Sequence, residues 1–177
     1  MKKIIFTLLM LPLLSFSQEM NNEKLQEIYT SVSDSIQGNK GAWQFFIEEV
    51  QLVSFTDTNH NRMRIISPIA DSNSLDDELI RAALVANFHT ALDVKYAVSD
   101  GILWVVFIHP LKELSEHQVR DALSQVYHAN INFGTSYAST SLAFPGLGQE
   151  TRDTEEKPMP KPKTKTKTKT KTKKTKI

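Results

Sequence analysis

The first regular pattern after residue 20 has the spacing of a helix. Asn21 or Asn22 is a suitable N-cap, and the chain reaches glycine at Gly38 and again at Gly41. Between them, apolar residues recur three or four positions apart: Leu25, Ile28, Val32 and Ile36. The pattern predicts a helix with one apolar face that ends near these glycines.

The next two segments have the residue composition of β-strands. Residues 43–57 (WQFFIEEVQLVSFTD) and 62–69 (RMRIISPI) are rich in aromatic and β-branched residues, and the polar turn 58–61 joins them into a predicted hairpin. With the turn centred there, Asp57 opposes Arg62 across the two strands. Pro68 has no N–H to donate to a neighbouring strand, so we expect the second strand to lie at a sheet edge or to end there.

A second helix is predicted from Leu75. Ser74 to Asp77 is a capping-box pattern, and acidic residues fill the first turn, where the helix dipole favours negative charge. After Leu79 the sequence is apolar nearly all round, which predicts a helix buried between layers.

The dipeptide Asp100-Gly101 predicts a two-residue hairpin turn, because these residues readily take positive φ angles. The turn fixes a register with apolar pairs on one face: Val98 with Leu103, Tyr96 with Val105, and Val94 with Phe107. The opposite face carries Ala97, Ile102, Trp104, Val106 and Ile108. Both faces of this hairpin are therefore expected to be covered.

The third helix has a complete start signal. Ser115 and Gln118 form a capping box, and Leu114 can pack on Val119 as a hydrophobic staple. An apolar stripe follows at helical spacing: Val119, Ala122, Leu123, Val126, Ala129 and Phe133. The order helix, hairpin, helix, hairpin, helix predicts an α+β fold (α-ββ-α-ββ-α), in which three helices cover an antiparallel sheet of two hairpins.

Charge divides the chain into three segments. Residues 1–17 read as a signal peptide, since Lys2 and Lys3 precede a short apolar stretch, with cleavage before Gln18. Residues 18–149, the predicted α+β domain, hold eight basic and sixteen acidic residues, a net charge of −8. Residues 150–177 hold eleven basic and four acidic residues, a net charge of +7. We expect export to the periplasm or the cell exterior, with no membrane span after cleavage.

The C-terminal tail is a lysine–threonine repeat with ten lysines and no acidic residue from Lys157 onward, which predicts disorder in isolation. Three interpretations stay open: binding to an anionic envelope polymer or lipid, folding back onto the acidic domain, or solubilisation. The lysines that would bind a polyanion are Lys161, Lys163, Lys165, Lys167, Lys169, Lys171, Lys173 and Lys174. The tail has no aromatic residue to stack on bases, which disfavours specific nucleic-acid recognition.

The sequence holds no recognisable catalytic or cofactor motif. It has no cysteine, which excludes disulfides and thiolate chemistry, and its five histidines do not have the spacing of a metal-binding motif. The acidic residues Asp71, Asp76, Asp77 and Glu78 lack a calcium-loop pattern and are accounted for by helix capping. We therefore predict a protein that is not an enzyme and binds no cofactor or metal.

Three segments together carry a family resemblance: AALVANFHTA, VKYAVSDGILWVVFIHPL and LSEHQVRDALSQVYHAN. With them, residues 21–144 resemble the YbjN-like and Tir-chaperone (CesT-type, type III secretion chaperone-like) superfamily of small α+β proteins. The resemblance implies an acidic, non-catalytic, often dimeric protein that holds another polypeptide, with the middle helix and adjacent strands in the dimer contact. The export signal and the basic tail depart from that pattern.

Trp104 is the residue on which the functional prediction depends. A large aromatic residue in an apolar patch is typical of an interface, so Ile102, Trp104, Val106 and Ile108 are predicted to contact a partner or a second copy. The alternative is that the first or last helix covers this face.

For the protein as a whole, we predict a secreted or periplasmic, non-catalytic, chaperone-like protein-binding module. The alternative is an envelope-associated scaffold whose tail binds anionic polymer or lipid.

Overall fold

A computed structural model describes residues 19–142, which form one α+β unit. Its helices are α1 (Asn22–Val32), α2 (Asp77–His89) and α3 (Glu116–Ile131), with a short 3₁₀ turn at Ser72–Ser74. Its strands are β1 (Ser35–Asn39), β2 (Ala42–Ile47), β3 (Val50–Asp57), β4 (Arg62–Asp71), β5 (Lys95–Ser99) and β6 (Ile102–His109). They form one antiparallel sheet in the order β1-β2-β3-β4-β6-β5, which confirms the predicted fold class.

The sheet has two unlike faces. Side chains alternate between the faces along each strand, and α1 and α3 pack against one face only, here called the inner face. That face forms the core with the helices, through buried residues such as Phe45, Leu52, Ile65 and Val105. The other face, here called the outer face, has no helix packed on it within residues 19–142.

The N-terminal part contains two more strands than predicted. Asn21 caps α1 as expected, but the helix ends at Val32, and the next residues form β1. Gly38 has a φ of +99°, and a Cβ there would lie 2.3 Å from the carbonyl oxygen of Ala42. Gly38 and Gly41 therefore belong to the β1–β2 hairpin and do not end a helix, and Ile36 matches the helical spacing only by coincidence.

The predicted single strand 43–57 is in fact the β2–β3 hairpin. The turn falls at Glu48, whose φ is +51°, and the Asp34 carboxylate accepts a 2.8 Å hydrogen bond from the Glu48 N–H. Two glutamates are not typical turn residues, so no local signal marked the turn. A side chain from outside the hairpin helps to hold it.

The β3–β4 hairpin is confirmed, with Asp57 opposite Arg62. No ion pair joins them, because the Asp57 carboxylate instead accepts hydrogen bonds from the N–H groups of Asn59 and His60 and lies 2.7 Å from His60 Nδ1. The expectation that this strand lies at an edge or ends at Pro68 is wrong, because β4 has a neighbour on each side and continues to Asp71, with Pro68 opposite Trp104 of β6. The β3–β4 ladder nevertheless ends at the pair Val53–Ile66, so no β3 residue pairs with Pro68, and the β4–β6 register shifts between Pro68 and Ala70.

Helix α2 begins at Asp77 rather than Leu75, because Asp76 and not Ser74 is its N-cap and accepts a bond from the Leu79 N–H. The predicted burial of this helix is also wrong. Only Ala83 and Ala86 are buried, because α2 joins the core along one side, beside the edge strand β5, and leaves its other side in solvent.

The C-terminal half follows the prediction closely. The β5–β6 register pairs Val98 with Leu103 and Tyr96 with Val105, and the turn residues Asp100 and Gly101 both have positive φ. Val94 and Phe107 are buried, although the ladder starts one residue later, at Lys95. The Ser115–Gln118 capping box starts α3 as predicted.

The predicted signal peptide and the lysine tail lie outside the described residues. None of the helices within residues 19–142 is long and apolar enough to cross a membrane.

Candidate protein-binding surfaces

The outer face of the sheet is apolar across three neighbouring strands. Cross-strand neighbours there include Val53 beside Ile66 and Ile66 beside Val106. On β3, β4 and β6 the large apolar residues of this face are Val53, Phe55, Ile66, Pro68, Ile102, Trp104, Val106 and Ile108. These side chains shield one another in part, but two of them remain strongly exposed: Phe55 at 46% and Ile108 at 56%.

Trp104 lies in this face between Pro68 of β4 and Ala97 of β5. Its indole N–H donates a 3.2 Å hydrogen bond to the carbonyl oxygen of Ser99, so its polar group is satisfied while its ring stays partly exposed. Within residues 19–142 neither α1 nor α3 covers Trp104, because both pack on the inner face. The alternative of a helical cover from the first or last helix is therefore wrong. The interface role of Ile102, Trp104, Val106 and Ile108 stays a prediction.

A shallow pocket lies in the outer face where β3, β4 and β6 meet. It has a volume of about 320 Å³ and is lined by Phe55, Thr56, Asp57, Arg62, Met63, Arg64 and Ile108. Phe55 is the direct neighbour of Arg64, and Arg64 is the direct neighbour of Ile108. The pocket thus combines apolar walls with two guanidinium groups and the carboxylate of Asp57.

A second apolar surface lies on α2. Leu84, Val85 and Phe88 are exposed at 62%, 55% and 69%. Helix α2 is fixed to the sheet edge by Asn87, whose side chain accepts a 2.7 Å bond from the Tyr96 N–H and donates a 3.0 Å bond to the Tyr96 carbonyl. Asn87 thereby pairs the outward backbone groups of an edge strand, a common protection against strand addition.

A polar cleft lies between α3 and the C-terminal end of β6. Its centre is the buried Gln125, which donates to the carboxylates of Asp93 (3.0 Å) and Asp121 (2.8 Å) and accepts from the Asp93 N–H (3.1 Å). The cleft has no serine or lysine nucleophile among its lining residues. Its polar groups join α3 to the segment that precedes β5.

The two tyrosines with the largest pKa shifts are structural. Burial raises the pKa of Tyr29 and of Tyr96 well above the usual range. Tyr29 Oη lies 2.8 Å from Ser54 Oγ, and Tyr96 Oη donates a 2.8 Å bond to the carbonyl of Ala129. Both stay protonated and fasten helices to the sheet, so neither can act as a base near neutral pH.

Residues 19–142 contain no group of three or more His, Asp or Glu side chains that could hold a metal ion. The acidic cluster fulfils the predicted capping role in part. Asp76 caps α2, and Asp71 accepts a 2.8 Å bond from the Asn73 N–H at the start of the 3₁₀ turn.

Sequence patterns missed two parts of these surfaces. The apolar face of α2 was expected to be buried, since a helix that is apolar all round is usually internal. Arg62 and Arg64 were not singled out, although they alternate with Met63 and Ile65 and so must face away from the core. That alternation was the available signal for the pocket.

No family model matches this chain, and no curated protein matches it either. Among solved structures, the chain is similar to one described as the HopA1–SchA chaperone–effector complex, with 12% identity, 62% of this chain and 95% of that chain covered, and a TM-score of 0.46. It is also similar to the ExsC–ExsE complex, with 14% identity, 64% and 94% coverage, and a TM-score of 0.48. Likenesses at this level carry no argument about function, and the fold class rests on the elements described above.

Proposed function

We propose that this protein is a non-catalytic, protein-binding module of the chaperone-like kind, with the outer face of the sheet as its partner-binding surface. The observation that carries the proposal is an apolar sheet face that no helix covers within residues 19–142. Contiguous exposed apolar surface is costly in water and marks interaction sites in soluble proteins. Trp104 supplies the aromatic anchor that interfaces favour.

The test is capture of partners from native cell envelopes with the full chain, a chain ending at Gln149, and the Trp104→Asp variant. A discrete polypeptide bound by the first two and lost with Trp104→Asp supports the proposal. Ser124→Asp is a matched control, because Ser124 is exposed on α3, which packs on the other side of the sheet. Circular dichroism must show that Trp104→Asp stays folded. An unfolded variant would mean that Trp104 serves the core and not an interface.

We further propose that the module forms a homodimer through α2. The exposed Leu84, Val85 and Phe88 are the observation that favours it, because three large apolar side chains on one short helix leave apolar area that a second copy would bury. Phe88→Glu should convert the dimer to a monomer in analytical ultracentrifugation. Ser124→Asp, at an exposed position on α3, should leave the assembly state unchanged. A monomeric wild-type protein at micromolar concentration contradicts the dimer.

As a second candidate function, we propose an exported, envelope-associated scaffold whose polycationic tail binds anionic polymer or lipid. The observation that favours it is the division of charge, −8 in residues 18–149 against +7 in residues 150–177. Removal of residues 150–177 should then abolish envelope association, and association of the intact chain should fall steeply as salt rises. Association that does not respond to salt rules this candidate out.

A further inference from the structure

The pocket formed by Phe55, Arg64 and Ile108 restricts what the outer face can bind, and the inference below rests on the function just proposed. The three residues are consecutive neighbours across β3, β4 and β6. Phe55 and Ile108 are strongly exposed, and a guanidinium group lies between them. The pocket therefore offers two apolar walls and a central positive charge.

The positive charge has no acidic partner in the part of the chain that the structure describes. Arg64 makes no ion pair or hydrogen bond there, and Arg62 donates only to the neighbouring Asn61 carbonyl at 3.0 Å. Asp57 lines the same pocket, but its carboxylate is engaged by His60 and by two backbone N–H groups of the turn. The nearest acid in the strand register therefore forms no ion pair with either arginine.

Neither arginine forms an ion pair although the domain is acidic. Residues 19–142 hold sixteen acidic and eight basic side chains, so a cation there has many acids available. Arg120, by contrast, forms a 2.8 Å ion pair with Glu116. The two arginines of this pocket, neither of which forms an ion pair, are therefore available to an acidic group of a partner.

We propose that the pocket receives a segment of the partner polypeptide in which an apolar side chain lies next to a carboxylate. The apolar side chain packs between Phe55 and Ile108, and the carboxylate binds the Arg64 guanidinium, whose planar fork can donate two parallel N–H bonds. A polypeptide fits better than a lipid. The pocket is shallow and open and continues into the flat apolar surface of Ile66, Val106 and Trp104, whereas an acyl chain needs an enclosed cavity.

The experiment selects short random peptides on the full chain at near-physiological salt and measures the affinity of the enriched peptides by fluorescence anisotropy. Each enriched peptide is then remade with its acidic residue changed to Gln. Every protein variant keeps the lysine tail, so attraction of acidic peptides to the tail is the same throughout. The variants are Arg64→Met, Ile108→Asp, and the control Arg81→Met, which removes an arginine that does not line the pocket.

Enriched peptides should combine apolar and acidic residues. Arg64→Met should weaken the acidic peptide by roughly fivefold and leave the Gln version unchanged, while Arg81→Met should alter neither. Ile108→Asp should weaken both versions.

Other outcomes distinguish failure of this inference from failure of the proposed function. If peptides bind and Ile108→Asp weakens them, but Arg64→Met does not distinguish Glu from Gln, the charge inference is wrong and the binding surface stands. If no peptide is enriched, or Ile108→Asp has no effect, the outer face is not a peptide-binding surface and both fall. Binding of phosphatidylglycerol vesicles that depends on Arg64, without peptide binding, would assign the pocket to a lipid and overturn the inference.

Discussion

The two faces of the sheet use similar apolar residues for different purposes. The inner face buries Phe45, Leu52 and Val105 under α1 and α3, whereas the outer face leaves Phe55, Trp104 and Ile108 in contact with solvent. Apolar content therefore does not tell the faces apart. What separates them is whether a helix packs on them, and that difference predicts which substitutions unfold the protein and which disturb only binding.

The largest expected contrast is between two consecutive residues of β6. Phe107 is buried on the inner face and Ile108 is exposed on the outer face. Phe107→Asp should cost more than about 4 kcal/mol of unfolding free energy, enough to prevent folding, because it places an unpaired charge in the core. Ile108→Asp should change stability by less than about 1 kcal/mol. Urea unfolding measures both, and equal losses would mean that the outer face belongs to the core.

A matched pair of phenylalanines sharpens the comparison without introducing charge. Phe45 of β2 is fully buried and stacks on Tyr29 with ring centroids 4.7 Å apart, whereas Phe55 of β3 lies on the outer face. Phe45→Ala should lower the unfolding free energy by about 3–5 kcal/mol, since it leaves a cavity. Phe55→Ala should lower it by less than about 1 kcal/mol. Thermal unfolding followed by circular dichroism would show a large fall in Tm for the first variant alone.

Loss of one buried hydrogen bond on the inner face should lower the unfolding free energy by a smaller amount. Ser54 is buried on β3, and its hydroxyl is the side-chain partner of Tyr29 Oη at 2.8 Å. Ser54→Ala should destabilise the protein by about 1–3 kcal/mol, because it leaves a buried hydroxyl without a partner. Adding Tyr29→Phe to Ser54→Ala should recover part of the loss. A double variant that is no more stable than Ser54→Ala would contradict this account.

The smallest effect concerns the turn beside the outer-face pocket. Hydrogen bonds from the His60 side chain and backbone lower the pKa of Asp57 below its ordinary value. Since the folded pKa lies below the unfolded one, the stabilisation is fully present above about pH 4 and is lost as pH falls through the folded pKa. Asp57→Asn should lower Tm slightly at pH 6, and the difference from wild type should shrink as pH falls below about 4. A difference that does not shrink with falling pH would mean that this carboxylate does not titrate as described.

Local patterns determined much of the fold. The Asp100-Gly101 turn fixed the β5–β6 register, and the Ser115–Gln118 capping box fixed the start of α3, because each motif satisfies its own backbone geometry within a few residues. The patterns failed where a distant group decides the structure. Glu48 turns the β2–β3 hairpin with help from Asp34 and has no local signature. Gly38 and Gly41 do mark the β1–β2 turn, but locally they fit the end of a helix equally well, and only the pairing of β1 with β2 distinguishes the two.

The candidate site shows the same division. Strand periodicity alone places Trp104, Val106 and Ile108 on one face of a strand, because side chains alternate with a period of two. Three features follow only from how the elements pack: this face is open, Arg64 lies between Phe55 and Ile108, and the apolar side of α2 faces solvent. The physical reason is that periodicity reports which residues lie together, whereas burial depends on which other element packs against them, and that is set by contacts between residues far apart in the chain.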